Sequence, residues 1–219
     1  HGVWLDRREI DRIAAAGVSV VLNMLSNLKT KNGVAPIRPM LAAGINLALG
    51  CDNCSCSDAQ NIFQAMKLYT FLAAVSDPTE GPPDAADALR AATMAGARTA
   101  GLQDEIGALR VGMRADITVI DTDDPVYQPF NSAARQIVYG EGGRAVTTVI
   151  VDGRVVMRDR VIQTVDEAAL RTELARIVPG FRADADKVFA RTARLRPYIL
   201  EADKRIWRED VGIDRYLSR

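Results

Sequence analysis

Two short apolar runs, VSVVLNM at residues 18–24 and INLALGCD at residues 45–52, constrain this chain more than any other feature of its sequence. Segments with helical spacing of their apolar residues surround both runs, at residues 6–17, 37–44 and 57–77. Apolar strands between helices are typical of a parallel sheet that helices cover on both faces. Two such strands cannot close a barrel or fill a doubly wound sheet, and their edges would stay open. We therefore expect them to be part of an α/β domain and not the whole of one.

The helices carry start and stop signals. Asp6 is suited to cap the helix at residues 6–17, which Gly17 ends. Gly44 ends the helix at residues 37–44 in the same way. The segment at residues 26–36 is polar and contains Asn, Gly and Pro, so we expect a loop there. Two longer helices are predicted in the first half of the chain, at residues 57–77, starting at Ser57 or Asp58, and at residues 84–102.

The pattern changes after residue 105. GALRVGMRADITVID at residues 107–121 ends in a strand, and AVTTVIVDGRVVMRDRVI at residues 145–162 predicts two strands joined by a type I′ turn at Asp152-Gly153. Residues 121–143 between them have little regular pattern. The end of the chain is helical, with predicted helices at residues 166–178 and 182–209, a break at Pro179-Gly180 and a kink at Pro197.

Composition excludes several classes of protein. Lys and Arg number 28, as do Asp and Glu, so the net charge is zero, and no block of one sign indicates a nucleic-acid or membrane partner. The sequence contains no run of 18 or more apolar residues, so it predicts no membrane-spanning helix. The first ten residues lack the pattern of a signal peptide. The three cysteines lie within six residues, which suits a reducing cytoplasm and not a disulfide framework.

The segment NLALGCDNCSCSD at residues 46–58 allows two kinds of metal site. Cys51, Cys54 and Cys56 could form a cysteine cluster, but a structural zinc normally takes four ligands and the single histidine is residue 1. Alternatively, Asp52 is the ligand, and the cysteines are small residues of a strand end and the following loop. An Asp after a strand is also often a turn or cap residue, and a lone terminal His is often inert.

Four segments in succession resemble one known family. SNLKTKNGVAPIRPMLAAGINLALGCD, ALRAATMAGARTAGL, IGALRVGMRADITVID and VTTVIVDGRVV are similar to the carboxy-terminal half of the amidohydrolase superfamily. The resembling branch contains triazine hydrolases, cytosine and guanine deaminases and methylthioadenosine deaminases. The resemblance covers residues 1–163 and implies that residues 1–104 are the C-terminal part of a (β/α)₈ TIM barrel. Strands of a small β-sandwich at residues 105–163 and a helical tail at residues 164–219 would follow.

The resemblance also implies site residues. Asp52, in Gly50-Cys51-Asp52, matches the family's last-strand Asp, which ligates a divalent metal and accepts the proton of the attacking water. His1, followed by Gly2, matches a sixth-strand His beside the metal. Ser26 and Asn27 match a pair that faces the pocket, and we expect Asn53 and Cys54 to line the pocket too. A carboxylate, an imidazole and a metal with an open position suit hydrolysis by a metal-activated water.

The remaining ligands of the family are absent from this sequence. The two histidines of the first strand, the fifth-strand histidine and its neighbouring acid would precede His1. We therefore expect this chain to be a segment of a longer enzyme, with further ligands upstream.

From the resemblance we expect a metal-dependent amidohydrolase that deaminates a nitrogen heterocycle, an aminopurine, aminopyrimidine or triazine, with zinc or alternatively iron. We expect a cytoplasmic homo-oligomer, a dimer or higher, with no nucleic-acid or membrane partner. The alternatives are hydrolysis of another carbon–nitrogen or carbon–halogen bond in a cyclic substrate, and an inactive binding or scaffold protein with the same fold.

Overall fold

A computed structural model describes residues 1–76 and 81–216. The described residues form two compact units: residues 1–160 together with 214–216, and Val161–Ile213. The predicted domain boundaries at residues 104 and 163 stay a prediction. The first unit contains eight α-helices: α1 (Arg7–Ala15), α2 (Met24–Lys29), α3 (Ile37–Ala42), α4 (Cys54–Ser57), α5 (Ile62–Ser76), α6 (Ala85–Ala92), α7 (Met94–Thr99) and α8 (Ala133–Tyr139).

Helix α1 begins where its sequence predicts. The Asp6 side chain accepts a hydrogen bond from the Glu9 N–H at 2.7 Å, and the Glu9 side chain accepts one from the Asp6 N–H at 2.9 Å. This reciprocal capping box satisfies two backbone donors that an α-helix leaves unpaired at its start. Gly17 and Gly44 both have left-handed backbones, with φ of 66° and 77°, and let the chain turn after α1 and α3.

The two apolar runs form a parallel strand pair. Strand β1 (Val20–Leu22) pairs with β2 (Leu47–Leu49), with Val20 opposite Leu47 and Leu22 opposite Leu49. Leu22 has no exposed surface, and the helices around the pair supply the rest of one continuous core. The largest side chains buried in that core are Ile10, Leu22, Ile37, Met40, Tyr69 and Val138. This confirms a mixed α/β fold with covered parallel strands.

The later strands pair antiparallel, as predicted. Strand β3 (Ile117–Ile120) pairs with β4 (Val146–Val151), which pairs with β5 (Arg154–Arg158). Val151 lies opposite Arg154, so Asp152 and Gly153 form a two-residue turn with φ of 49° and 76°. Two successive positive φ values identify the type I′ turn that the Asp-Gly pair predicts.

Several helices differ from their predictions. The predicted loop at residues 26–36 begins as helix α2, and the irregular stretch at residues 121–143 contains α8, whose Val138 is fully buried. The helix predicted at residues 57–77, with its start at Ser57 or Asp58, begins instead at Ile62 as α5, because Ser57 ends the short helix α4 and Asp58 after it has a left-handed backbone with φ of 58°. Part of the predicted segment, residue 77, lies outside the described residues. The helix predicted at residues 84–102 divides into α6 and α7 at Thr93, which has a non-helical backbone.

The second unit is mostly helical. A short strand, β6 (Val161–Ile162), precedes α9 (Glu167–Thr192), a 3₁₀ turn (Ala193–Leu195) and α10 (Arg196–Ile206). The predicted break at Pro179-Gly180 is wrong: α9 passes through Pro179, which removes one backbone hydrogen bond from a long helix, and Gly180 has no left-handed backbone. Pro197 lies in the first turn of α10, where a missing N–H costs nothing.

None of the helices in residues 1–76 and 81–216 combines the length and the apolar character that a membrane-spanning helix requires.

Candidate functional site

The site is built where the two parallel strands end. Asn23 follows β1 directly, and Gly50 follows β2 directly, its N–H donating to the Leu22 carbonyl at 2.9 Å. The Asn23 side-chain oxygen accepts a hydrogen bond from the Asp52 N–H at 3.0 Å. A Cβ atom at position 50 would meet that oxygen at 2.4 Å. Glycine at 50 therefore lets Asn23 connect the two strand ends and fix the backbone of Asp52.

Asp52 has a left-handed backbone, with φ of 60°. Such a backbone is uncommon outside glycine and is concentrated at functional sites. The surrounding hydrogen bonds hold it in place: Asp52 donates its N–H to Asn23, and its carbonyl accepts from the Gln60 amide. In this conformation the Asp52 carboxylate lies 3.7 Å from His1 Nε2.

The environment of Asp52 keeps its carboxylate ionised. The pKa of the Asp52 carboxyl lies below its ordinary value, first because the Ser26 hydroxyl donates to it and second because the Asn53 N–H does. The Asn53 N–H lies 2.7 Å from Asp52 Oδ1. An ionised carboxylate at a strand end can ligate a cation or accept a proton.

His1 meets Asp52 across the strand ends. Its Nε2 lies 3.7 Å from Asp52 Oδ2, and its Nδ1 lies 2.8 Å from Asn27 Oδ1. Because a carboxamide oxygen only accepts, Nδ1 carries the hydrogen and Nε2 of the neutral ring keeps its lone pair. The lone pair and the carboxylate thus face the same space. The His1 and Asp52 side chains are 44% and 22% exposed, so both can be reached by a ligand.

The two predicted pocket residues of helix α2 are buried. Ser26 is 2% exposed and Asn27 is 1% exposed. The Ser26 side chain forms a hydrogen bond with Asp52, and the Asn27 side chain forms one with His1. The Nδ2 atom of Asn27 is buried and has no hydrogen-bond partner among the described residues. The buried Ser26 therefore supports Asp52, and the buried Asn27 supports His1. Their predicted contact with substrate stays a prediction.

Asn53 and Cys54 lie on an exposed turn beside Asp52. The Asn53 side-chain oxygen accepts hydrogen bonds from the Ser55 and Cys56 N–H groups at 3.0 and 3.1 Å, so Asn53 caps helix α4. Cys54 is the first residue of that helix and is exposed. Both residues are close to Asp52 in sequence, but the contacts of Asn53 are those of a cap.

The cysteines form no metal cluster within residues 1–76 and 81–216. All three are free thiols, and no group of three or more His, Cys, Asp or Glu side chains among these residues is placed to hold a metal ion. Burial raises the pKa of the Cys51 thiol, which disfavours the thiolate that binds metals. Both metal sites that the sequence allows are therefore incomplete among these residues, and the one built on Asp52 stays a prediction.

Sequence reasoning missed Asn23 and Gly50 as parts of the site. Their contact joins the ends of two strands that are distant in sequence, so no local pattern contains it. The available signal was positional: Asn23 ends the first apolar run, and polar residues at the C-terminal ends of parallel strands commonly serve a site.

The donor set fits a divalent cation in part. An imidazole nitrogen with a free lone pair and an ionised carboxylate are both zinc ligands, and the Nδ1 bond to Asn27 is the kind of support that metal-binding histidines have. His1 and Asp52 supply two such groups. A tetrahedral catalytic zinc normally has three protein ligands, so these two form an incomplete shell.

Residues 1–156 match the amidohydrolase family. The 5-methylthioadenosine/S-adenosylhomocysteine deaminase of Thermococcus onnurineus is 40% identical over 160 residues, 73% of this chain and 37% of the relative. The chain thus spans about two fifths of the length of such relatives.

Solved structures agree with the sequence match. A zinc-bound adenosine deaminase from Xanthomonas campestris superposes with a TM-score of 0.80 and 33% identity, covering 84% of this chain and 42% of that one. Atrazine chlorohydrolase from Arthrobacter aurescens, complexed with zinc, gives a TM-score of 0.76 and 26% identity, covering 82% of this chain and 40% of that one. On the sequence match and the shared fold together, this chain belongs to the amidohydrolase family.

Proposed function

We propose that this chain carries part of the active site of a metal-dependent amidohydrolase that deaminates a nitrogen heterocycle. The observation that carries the proposal is the convergence of His1 Nε2 and Asp52 Oδ2, 3.7 Å apart at the C-terminal ends of parallel strands. Barrel enzymes keep their catalytic groups at these strand ends. The relative from Thermococcus onnurineus is named a deaminase, which supports the reaction type.

His1 and Asp52 are the residues that would hold the metal, with zinc favoured because two of the similar structures contain zinc. A bound divalent metal would lower the pKa of its water to about 7 and so supply a nucleophile near neutral pH. Asp52 would accept the proton of the attacking water and return it to the leaving amino group. His1, held through Nδ1 by Asn27, would offer its Nε2 lone pair to the metal.

The metal needs further ligands besides His1 and Asp52. Among residues 1–76 and 81–216, no third ligating side chain joins His1 and Asp52. The relatives are more than twice as long as the segments that align, so they have room for the missing ligands. We infer that the working site takes its remaining ligands from a part of the protein outside this sequence.

The finer architecture follows the same family. We infer that β1 and β2 belong to a (β/α)₈ barrel within residues 1–104, and that β3, β4 and β5 belong to a small sandwich within residues 105–163. The parallel pairing of β1 with β2 and the antiparallel pairing of the later strands support this division. Residues 164–219 would form the helical tail.

An aminopurine is the first substrate to test, because similar proteins are named methylthioadenosine and adenosine deaminases. The experiment measures ammonia release from aminopurine nucleosides, aminopyrimidines and aminotriazines by the zinc-loaded enzyme. Ammonia release from at least one class, abolished by a chelator and restored by zinc, is the expected result. No release from any class by protein that retains zinc would contradict the proposal.

A second reaction is favoured by one structural neighbour. The similarity to atrazine chlorohydrolase supports hydrolysis of a carbon–halogen bond on a ring as the alternative. Chloride release from a chlorotriazine, without ammonia release from the amino heterocycles, would identify that reaction. A protein that binds no metal and hydrolyses neither class would instead be an inactive scaffold.

We also infer a cytoplasmic homo-oligomer. The three free thiols support a reducing compartment. Helix α9 exposes an apolar stripe at helical spacing, formed by Leu170, Leu174, Ile177 and Phe181, which are 49%, 45%, 44% and 73% exposed. Such a stripe suits contact with a second copy.

A further inference from the structure

Residues 214–216, here called the return segment, pack against the part of the first unit that leads away from His1. The Arg215 guanidinium donates hydrogen bonds to two backbone carbonyls, that of Val3 from Nε at 2.8 Å and that of Leu5 from Nη2. Val3 is 5% exposed and lies two residues after His1. One planar side chain therefore holds two carbonyls of the backbone segment that follows His1.

The return segment also holds the loop that leaves helix α2. The Arg215 carbonyl accepts a hydrogen bond from the Val34 N–H at 2.8 Å, and the Tyr216 hydroxyl donates to the Lys31 carbonyl at 2.7 Å. In the same loop the Asn32 N–H donates to the Asn27 carbonyl at 2.8 Å. The loop therefore connects the return segment to Asn27, the residue that binds His1 Nδ1.

An aromatic contact joins the two attachment points. The Trp4 indole donates a hydrogen bond to the Asn32 carbonyl at 2.9 Å, and its ring meets the Tyr216 ring edge to face at a centroid distance of 6.1 Å. Trp4 lies between the two carbonyls that Arg215 binds. The segment after His1, the loop after Asn27 and the return segment thus form one three-way contact.

Gly33 makes the close approach in this contact. Its φ is 96°, and a Cβ atom there would meet the Arg215 carbonyl oxygen and Cβ at 2.8 Å each. A side chain at position 33 would separate the loop from the return segment and would also strain the backbone. Glycine at this position is explained by the contact with Arg215.

We propose that Arg215 is a positioning residue that fixes the His1 ring against Asn27 and Asp52. It holds both sides of the His1–Asn27 hydrogen bond, through the Val3 and Leu5 carbonyls on one side and through Val34 on the other. Asp52 has its own supports, Asn23 and Ser26, which do not involve the return segment. Loss of Arg215 should therefore displace His1 and leave Asp52 in place. The catalytic consequence rests on the proposed function.

The first test observes His1 directly. In protein labelled with ¹⁵N in its histidine rings, the His1→Gln variant identifies the imidazole signals of His1, and their positions at one fixed pH report the Nδ1 hydrogen bond. Arg215→Ala is expected to shift or broaden these signals, and Gly33→Ala to do the same. Arg205→Ala, which removes an exposed ion pair with Glu201 on α10, is the matched control and should leave them unchanged. Circular dichroism confirms that each variant is folded.

The second test is kinetic. Arg215→Ala is expected to lower kcat by about 10-fold to 10²-fold with a smaller change in KM, since small misplacements of a catalytic group cost up to about 10²-fold. Arg215→Lys, which offers one cationic donor in place of a fork, should recover part of the loss. Because His1 is one of the two proposed metal ligands, zinc retention should weaken in Arg215→Ala and recover in part in Arg215→Lys.

The two tests separate this proposal from the proposed function. Unshifted His1 signals in folded Arg215→Ala protein would overturn the positioning role, whatever the activity. If Arg215→Ala does not fold, unshifted signals in Gly33→Ala overturn it equally. Shifted His1 signals in a protein whose wild type hydrolyses no heterocycle would support the positioning of His1 and refute the deaminase.

Discussion

His1 Nε2 lies 3.7 Å from Asp52 Oδ2, although three helices and two strands separate the residues in sequence. The distance is too long for a hydrogen bond and suits two groups that face a common ligand. Each residue has separate support: Asn27 holds the His1 ring, and Asn23 and Ser26 hold Asp52. This arrangement is the physical basis for proposing that the site is built on Asp52 and not on the cysteines.

Gly50→Ala tests the connection between the strand ends. The added Cβ would lie 2.4 Å from Asn23 Oδ1, so Asn23 must move and release the Asp52 N–H. We expect a stability loss of about 1 kcal/mol from the lost hydrogen bond, measured by urea unfolding, together with weaker zinc retention. Gly96→Ala in helix α7, where a Cβ meets nothing within 4 Å, is the control and should be neutral or stabilising. Equal behaviour of the two variants would refute a role for the Asn23 bridge.

Gly153→Val tests the hairpin. Gly153 has φ of 76°, and a Cβ there meets nothing within 4 Å, so the cost is conformational and not steric. A β-branched residue in the left-handed region should destabilise the fold by about 1–3 kcal/mol. Turnover per folded molecule should be unchanged, because the turn belongs to the antiparallel strands β4 and β5. Gly142→Val, at a position without a left-handed backbone, is the matched control. A large fall in turnover per folded molecule would mean that the hairpin contributes to the site.

Glu141 should make stability depend on pH. It is 3% exposed, and burial alone would raise the pKa of its carboxyl, but hydrogen bonds from the Ala145, Gly143 and Gly142 N–H groups and from the Tyr127 hydroxyl lower it overall. Because the folded pKa lies below the unfolded value near 4.5, the stabilisation is complete above pH 4.5. It is lost as the pH falls through the folded pKa.

Glu141→Gln removes this charge. We expect it to cost about 1.5–3 kcal/mol near pH 7, the range for hydrogen bonds to a charged group, with the difference from wild type shrinking below pH 4.5. Unfolding by urea at pH 7, 5 and 4 measures both. Glu105→Gln, which removes an exposed ion pair with Arg114, should cost less than about 1 kcal/mol. A difference between wild type and Glu141→Gln that is independent of pH would contradict this assignment.

Phe181→Glu tests the apolar stripe of α9. Phe181 is 73% exposed, so the substitution should not disturb packing within the chain. A charge in the stripe should lower the mass measured by light scattering if the stripe joins two copies. Arg182→Gln, at the neighbouring residue, changes the net charge by the same amount and controls for charge alone. An unchanged oligomer in Phe181→Glu would exclude this stripe as the contact.

The sequence predicted elements whose signals are local. Asp6 and Glu9 specify the start of α1 within four residues, and Asp152-Gly153 specifies a turn by its own backbone preference. Two predictions failed where a local rule met a stronger competing one. Pro179 did not end α9, because a long helix tolerates the loss of one hydrogen bond, and Asp58 ended α4 by adopting a left-handed backbone.

The site was predictable only in part for a similar reason. The family resemblance predicts His1 and Asp52 as site residues, and the two side chains lie close together in the structure. The burial of Asn27 and the bridge from Asn23 to Asp52 depend on packing between segments far apart in sequence. The attachment of Arg215 to Val3 depends on residues at opposite ends of the chain. No spacing or composition within a short window contains such contacts.

Zinc content and turnover of Asp52→Asn, beside Cys54→Ser and Cys56→Ser, test the central claim most directly. Asn is nearly isosteric with Asp, so the fold should survive by circular dichroism. If Asp52 both ligates the metal and accepts the proton of the water, Asp52→Asn should lower turnover by ~10²–10⁴-fold and weaken zinc retention. The two serine variants should keep their zinc and most of their activity. Serine variants that lose the metal, beside an Asp52→Asn variant that keeps both metal and activity, would contradict the account and identify a cysteine site instead.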